Sequence, residues 1–234
     1  EHLARLARDV KGVDVWFGGH SHNVVDDRVG GTPAIISGSH GQWVGQCDLV
    51  VDPVARRVLE RETRMNQVWA DVAVDSVWTS RVTRWNANVA PIAAQVLGRI
   101  DHALSRTRPE APIGNFIADA MRLASGADIA LQNPGGMRGD LPAGTITRGG
   151  VYEIMPFDNT IVTMELTGAE VRKALEQALR GDRVTQVSGL RYVIDTDRPA
   201  MSRVVSITNP DGTPFDEAKT YKVAANNFMA SGGD

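Results

Sequence analysis

The chain has 234 residues, of which 42% are hydrophobic, 23% charged and 6% aromatic, with a formal net charge of −3. That length admits one large domain or two small ones at roughly 100–200 residues each, and the composition is that of a folded rather than a disordered chain. A near-neutral balance without Lys/Arg blocks excludes a dedicated binder of nucleic-acid polymers; no apolar run reaches the roughly 18 residues of a membrane span; and a single cysteine, Cys47, excludes an internal disulfide framework or a Cys-rich metal cluster.

Taken in chain order, Leu3, Leu6, Ala7 and Val10 recur at helical spacing, so the chain is expected to open inside a helix. It starts on Glu1 and closes on Ser231-Gly232-Gly233-Asp234 with no terminating element, and so reads as a fragment. Val13-Asp14-Val15-Trp16-Phe17 is an apolar strand ending at Gly18-Gly19, and 34–36, 47–51 and 57–60 are further short strands between Gly, Pro and Asp turns. Residues 1–70 thus read as the end of an α/β unit. Over 71–97, Val74, Val77, Trp78, Val82, Trp85, Val89, Ile92 and Val96 share one helical face, which predicts a connecting helix that Pro91 kinks or ends. A second unit is expected over 98–234. In it, 113–124 is an amphipathic helix with Ile113, Phe116, Ile117, Ala120, Met121 and Ala124 on its apolar side, and 127–131 and 160–166 are strands. Thr167-Gly168-Ala169-Glu170 is a capping box opening a helix that Gly181 stops. Strands return at 190–194, 204–207 and 221–225, with Asp211-Gly212 as a turn. The fold class is therefore mixed α/β (α+β).

Two places carry chemistry. Gly18-Gly19-His20-Ser21-His22 follows directly on a strand, so a turn there lets His20 and His22 face one cavity; on spacing alone, two solvated loop histidines fit as well. With its strand, this segment resembles the last metal-binding motif of the calcineurin-like metallophosphoesterases. The resemblance implies that His20 and His22 are ligands in a two-metal centre on a helix-flanked β-sandwich, of which residues 1–70 are the C-terminal part. The ions would be Zn, Mn, Co or Mg. The catalytic residues of that family are expected upstream, because its Asp-x-His and Asn-His motifs do not occur here. His40 reads either as facing that cleft or as a surface-loop histidine.

The second place is Asn133-Pro134-Gly135-Gly136-Met137-Arg138, where a strand delivers an amide, two glycines and a guanidinium suited to gripping phosphate. Together with Glu110, 114–120, Met155-Pro156-Phe157, Leu166-Thr167-Gly168 and 227–234, it resembles, in order, the C-terminal domain of the 5′-nucleotidases and UDP-sugar hydrolases over about 98–234. That resemblance implies that Phe157 and Phe228 sandwich a nucleobase, Asn133 hydrogen-bonds the nucleoside, Asp234 holds the ribose hydroxyls and Arg138 contacts phosphate. A further phosphate-contacting Arg falls on Arg106 or Arg108, because Pro109 alters the spacing; Arg106 is preferred. The implied activity is metal-dependent hydrolysis of nucleotide phosphoesters. A 2′,3′-cyclic-nucleotide phosphodiesterase or a non-catalytic nucleotide-binding module are the alternatives. The expected partner is a nucleotide or nucleoside, and the expected location is extracellular, periplasmic or cell-wall associated. With two metal ligands and no catalytic pair, the chain alone is expected to bind nucleotides and hydrolyse little. Incomplete sandwich packing is expected to leave Val15, Phe17 and Ile35 exposed.

Overall fold

The computed structural model describes residues 5–6, 9–107, 109–181 and 184–233. The chain divides into two compact units, 1–81 and 82–234. The opening helix expected over 1–10 falls largely outside the described residues; within them, Val10 N–H donates to the Leu6 carbonyl at 2.8 Å, a helical i→i−4 bond.

The first unit is built from short strands. β1 (Trp16–Gly18), β2 (Val24–Val29) and β3 (Thr32–Ser37) form a sheet in the order β1-β3-β2. β1 runs parallel to β3, with Gly18 opposite Ile36, while β2 is antiparallel to β3 through a Gly30-Gly31 turn in which both glycines have positive φ. β2 was not expected from the sequence: Asp26, Asp27 and Arg28 mask its alternation. β4 (Trp43–Asp52) and β5 (Arg57–Gln67) form a long hairpin. Its turn is held by Asp52, whose carboxylate accepts from the Val54 and Ala55 amides at 2.9 Å. Ser37 Oγ accepts from Gly45 N–H at 3.1 Å, tying β3 to β4. Ile35 is buried there, contrary to expectation, whereas Phe17 is 63% exposed.

α1 (Ser76–Ala93) is capped by Asp75, which accepts from Val77 and Trp78 N–H at 2.8 and 3.0 Å. It is shorter than the expected 71–97. Pro91 lies in its last turn, where it has no N–H to donate to the carbonyl four residues back, and the chain beyond Ala93 enters a strand instead.

The second unit centres on a four-stranded sheet. β6 (Val96–Ile100) pairs with β8 (Gly144–Thr147) to one side of it; neither was expected. The sheet has the order β10-β7-β13-β9, made of β7 (Ile129–Gln132), β9 (Ile161–Thr167), β10 (Gln186–Ser188) and β13 (Thr220–Asn226). β7 and β13 are parallel; both outer strands are antiparallel. Alternation along β7 and β13 feeds two cores. Ala130 and Ala224 face α2 (Pro112–Ser125) through Ile113, Ile117, Ala118 and Met121. Ile129, Leu131, Val223 and Tyr221 face α4 (Gly168–Ala178) through Val171 and Leu175. The apolar face of α2 is narrower than expected: Phe116, Ala120 and Ala124 are exposed. The capping box of α4 is present, with Thr167 N–H donating to Glu170 at 2.8 Å and Glu170 N–H to Thr167 Oγ1 at 3.3 Å. The Thr167 amide and then its hydroxyl, both donating to the Glu170 carboxylate at 2.8 Å, hold that carboxyl below its ordinary pKa. The remaining elements are α3 (Arg148–Ile154), the hairpin of β11 (Arg191–Ile194) and β12 (Val204–Thr208), and α5 (Asn227–Ala230). Glu176, buried in α4, is satisfied by the Arg203 and Val204 amides at 3.0 and 2.7 Å, which anchors β12.

Candidate functional site

Parallel neighbours leave a sheet at the same end, and loops there are the usual place for ligands in open α/β sheets. β7 delivers Asn133 and the turn 134–138 at that end; β13 delivers Asn226 and α5, which carries Phe228. Hydrogen bonds join three loops. Asn226 Nδ2 donates to Asn133 Oδ1 at 2.9 Å and to Gln132 Oε1 at 3.3 Å, while its own Oδ1 caps α5 by accepting from Met229 N–H at 2.9 Å. Asn227 and Thr160 exchange two bonds, Asn227 N–H to the Thr160 carbonyl at 2.9 Å and Thr160 N–H to Asn227 Oδ1 at 3.0 Å. Arg138 N–H donates to the Ile154 carbonyl at 2.7 Å, just ahead of Met155-Pro156-Phe157. The loops bearing Asn133 and Arg138, Phe157, and Phe228 are thereby brought together.

Within this group Asn133 is buried, while Phe157 and Phe228 are 48% and 47% exposed. Two glycines make the packing possible. A Cβ on Gly136 would lie 2.5 Å from Gln132 Nε2 and 2.9 Å from Asn133 Oδ1, so only glycine lets the turn close over that amide. A Cβ on Gly233 would overlap the Phe228 ring. Arg138 is exposed, with Nη1 3.5 Å from the Gly135 carbonyl. Arg106 crosses the same turn: its Nη1 donates to the Met137 carbonyl at 2.9 Å and its amide to Asp140 at 2.7 Å. Arg108 and Asp234 lie outside the described residues. Asn226, Gln132 and Asn227, which join the loops, were not singled out from the sequence; the signal that could have found Asn226 is an Asn immediately before a short helical segment, the N-cap signature.

A cavity of about 810 Å³ lies elsewhere in this unit, lined among others by Glu110, Asp119, Arg122, Ser188 and Tyr192 and by none of the expected site residues. Its polar groups satisfy one another: Ser188 Oγ donates to Asp119 at 2.5 Å, Arg122 Nε to Ser188 Oγ at 2.7 Å, and Tyr192 OH to the Thr185 carbonyl at 2.5 Å. Burial, with a smaller contribution from Glu110, raises the Tyr192 phenol above its ordinary pKa.

In the first unit, His20 and His22 follow β1 on an exposed turn, with Ser21 N–H donating to the Gly19 carbonyl at 2.8 Å. Both have left-handed backbone, φ 68° and 61°, as does His40 at 55°. Each such residue costs of order 1 kcal/mol, a strain that concentrates at functional sites. Exposed imidazoles fit a divalent ion as a donor set. Among the described residues no group of three or more His, Cys, Asp and Glu converges.

Residues 93–234 match the family model described as 5′-nucleotidase, C-terminal domain. The chain is 32% identical to the "Trifunctional nucleotide phosphoesterase protein YfkN" of Bacillus subtilis over 98% of its length and 17% of that protein's. It is 31% identical to the "Cell wall protein Lmo0130" of Listeria monocytogenes over 95% of its length and 32% of that protein's. The crystal structure of a 5′-nucleotidase precursor from Thermus thermophilus superposes with a TM-score of 0.76 at 32% identity, covering 99% of this chain and 53% of that one. Fold and loops define a mixed α/β protein of the nucleotidase kind. The chain belongs to the 5′-nucleotidase family and carries its C-terminal domain; it spans from under a fifth to about half the length of these relatives.

Proposed function

We propose that the protein to which this chain belongs hydrolyses phosphoesters of nucleotides. The observation that carries the reading is the bonded convergence, in a 5′-nucleotidase C-terminal domain, of the loops bearing Asn133, Arg138, Phe157 and Phe228. In this reading Phe157 and Phe228 hold a nucleobase by its two faces, which tolerates any base. Asn133, held by Asn226, bonds the nucleoside, and Asp234 holds the ribose hydroxyls. Arg138 and Arg106 neutralise and orient the phosphates. His20 and His22 hold divalent metal of a two-metal centre; when bound, such ions clamp a phosphate and supply hydroxide near neutral pH. Residues 1–70 are then the end of the metal domain, 71–97 the connector and 98–234 the nucleotide-binding domain. One relative's name, trifunctional nucleotide phosphoesterase, supports nucleotide phosphoesters as the substrate class; a 2′,3′-cyclic-nucleotide phosphodiesterase is the alternative reading. The cell-wall name and the precursor title favour a location outside the cytosol.

The test compares the whole protein with the 234-residue chain for phosphate release from AMP, UDP-glucose and 2′,3′-cyclic AMP, with and without EDTA. The whole protein is expected to release phosphate in an EDTA-sensitive way, and the chain to release almost none. Robust turnover by the chain alone, or none by the whole protein on any of the three, would contradict the proposal.

A further inference from the structure

Two neighbouring loops carry three histidines where β1 and β3 end, and two of those histidines touch. Because these strands are parallel, the loops after Gly18 and Ser37 leave the sheet on the same side. His20 and His22 lie on the first loop and His40 on the second. A backbone bond ties the loops, Gly38 N–H to the Asn23 carbonyl at 2.9 Å, continuing the register that sets Val24 opposite Ser37. There the rings of His22 and His40 meet edge to face, with centroids 6.0 Å apart and planes at 67°. The His40 loop is shaped for this contact: Gly38, His40 and Gly41 all take positive φ, 67°, 55° and 68°.

We infer that His40 is a positioning residue for the His22 imidazole. An imidazole on an exposed turn samples several ring orientations and must give them up to bind an ion. A second ring packed against it removes that freedom beforehand, as neighbours of metal-bound histidines do elsewhere. The role depends on ring shape and not on a donor nitrogen. This inference rests on the metal-binding reading of His22.

The test is titration of Co²⁺ into the 234-residue chain, followed by calorimetry and by the visible absorption of the bound ion, for the chain and for His22→Ala, His40→Ala and His40→Phe. Binding is expected for the chain, near-complete loss for His22→Ala, about tenfold weakening for His40→Ala, and affinity within about twofold of the parent for His40→Phe, whose ring offers a similar face. If His22→Ala weakens binding and His40→Ala does not, His40 has no positioning role and the metal reading stands. His40→Phe as weak as His40→Ala would make His40 a ligand and overturn the inference. Unchanged binding in His22→Ala, or no binding by the chain, would remove the metal reading and the inference together. A second readout, in the metal-free chain, is the ring-proton NMR shift of His22, which is expected to move in His40→Ala as the neighbouring ring current is lost; no movement contradicts the contact.

Discussion

Asn226 is the residue on which the second unit's loops turn, and replacing it separates two effects. Its amide nitrogen reaches Asn133 and Gln132, and its oxygen caps α5. Asn226→Ala removes both. Loss of the cap costs about 1 kcal/mol, and removing the two buried bonds that Asn226 Nδ2 gives to Asn133 and Gln132 costs about 1–3 kcal/mol. The sum, about 2–4 kcal/mol, corresponds to a fall in Tm of roughly 5–15 °C for a unit of this size. Asn226→Ser keeps an oxygen for the cap and loses only the bridge, so its stability loss is expected to be smaller by about 1 kcal/mol. Both variants remove the bond that ties the Asn133 amide to β13, leaving Gln132 Nε2 at 3.3 Å from its Oδ1, and both are expected to bind adenosine about 5- to 10-fold more weakly, the value of one hydrogen bond. Urea denaturation gives the stability difference and isothermal calorimetry the affinity. Asn226→Ser with measurably reduced stability but unchanged adenosine affinity would refute the claim that this bridge presents Asn133 to the ligand.

Three other outcomes follow from the same geometry. Phe157→Ala and Phe228→Ala should each weaken adenosine binding by roughly 1–3 kcal/mol with little change in Tm, since both rings are about half exposed; calorimetry at matched concentrations checks this, and full affinity in either variant sinks that ring's assignment. Gly136→Ala forces a methyl against Gln132 and Asn133 and should cost about 1–3 kcal/mol in urea denaturation. For Tyr192 the folded pKa is raised by burial, so its contribution is complete below the ordinary phenol pKa of about 10 and declines as pH rises above it. Denaturation midpoints at pH 8, 10 and 11 should therefore fall more steeply for the parent than for Tyr192→Phe.

The parts legible in the sequence are those specified locally. The capping box at Thr167–Glu170 needs four residues, and it forms as read. β7 is a short β-rich run between turn signals, and the structure shifts its bounds by a residue or two at each end. What escaped notice depends on partners far along the chain. β6 and β8 pair across more than forty residues, and Val96 and Leu97 read equally well as the end of a helix. β2 is a strand because β3 lies beside it, in spite of Asp26, Asp27 and Arg28. At the nucleotide loops, the positions of Asn133, Arg138, Phe157 and Phe228 could be marked from motif order. The bridges that join their loops could not, because Asn226 meets Asn133 across 93 residues of chain. His22 and His40 meet for the same reason, through the parallel pairing of β1 with β3.

The central claim is that the loops at the ends of β7 and β13 form a nucleoside-binding site. It is tested most directly by calorimetric titration of adenosine into the 234-residue chain in EDTA, where no metal contributes. Saturable binding of one adenosine per chain is the expected result; no saturation up to millimolar adenosine would contradict it.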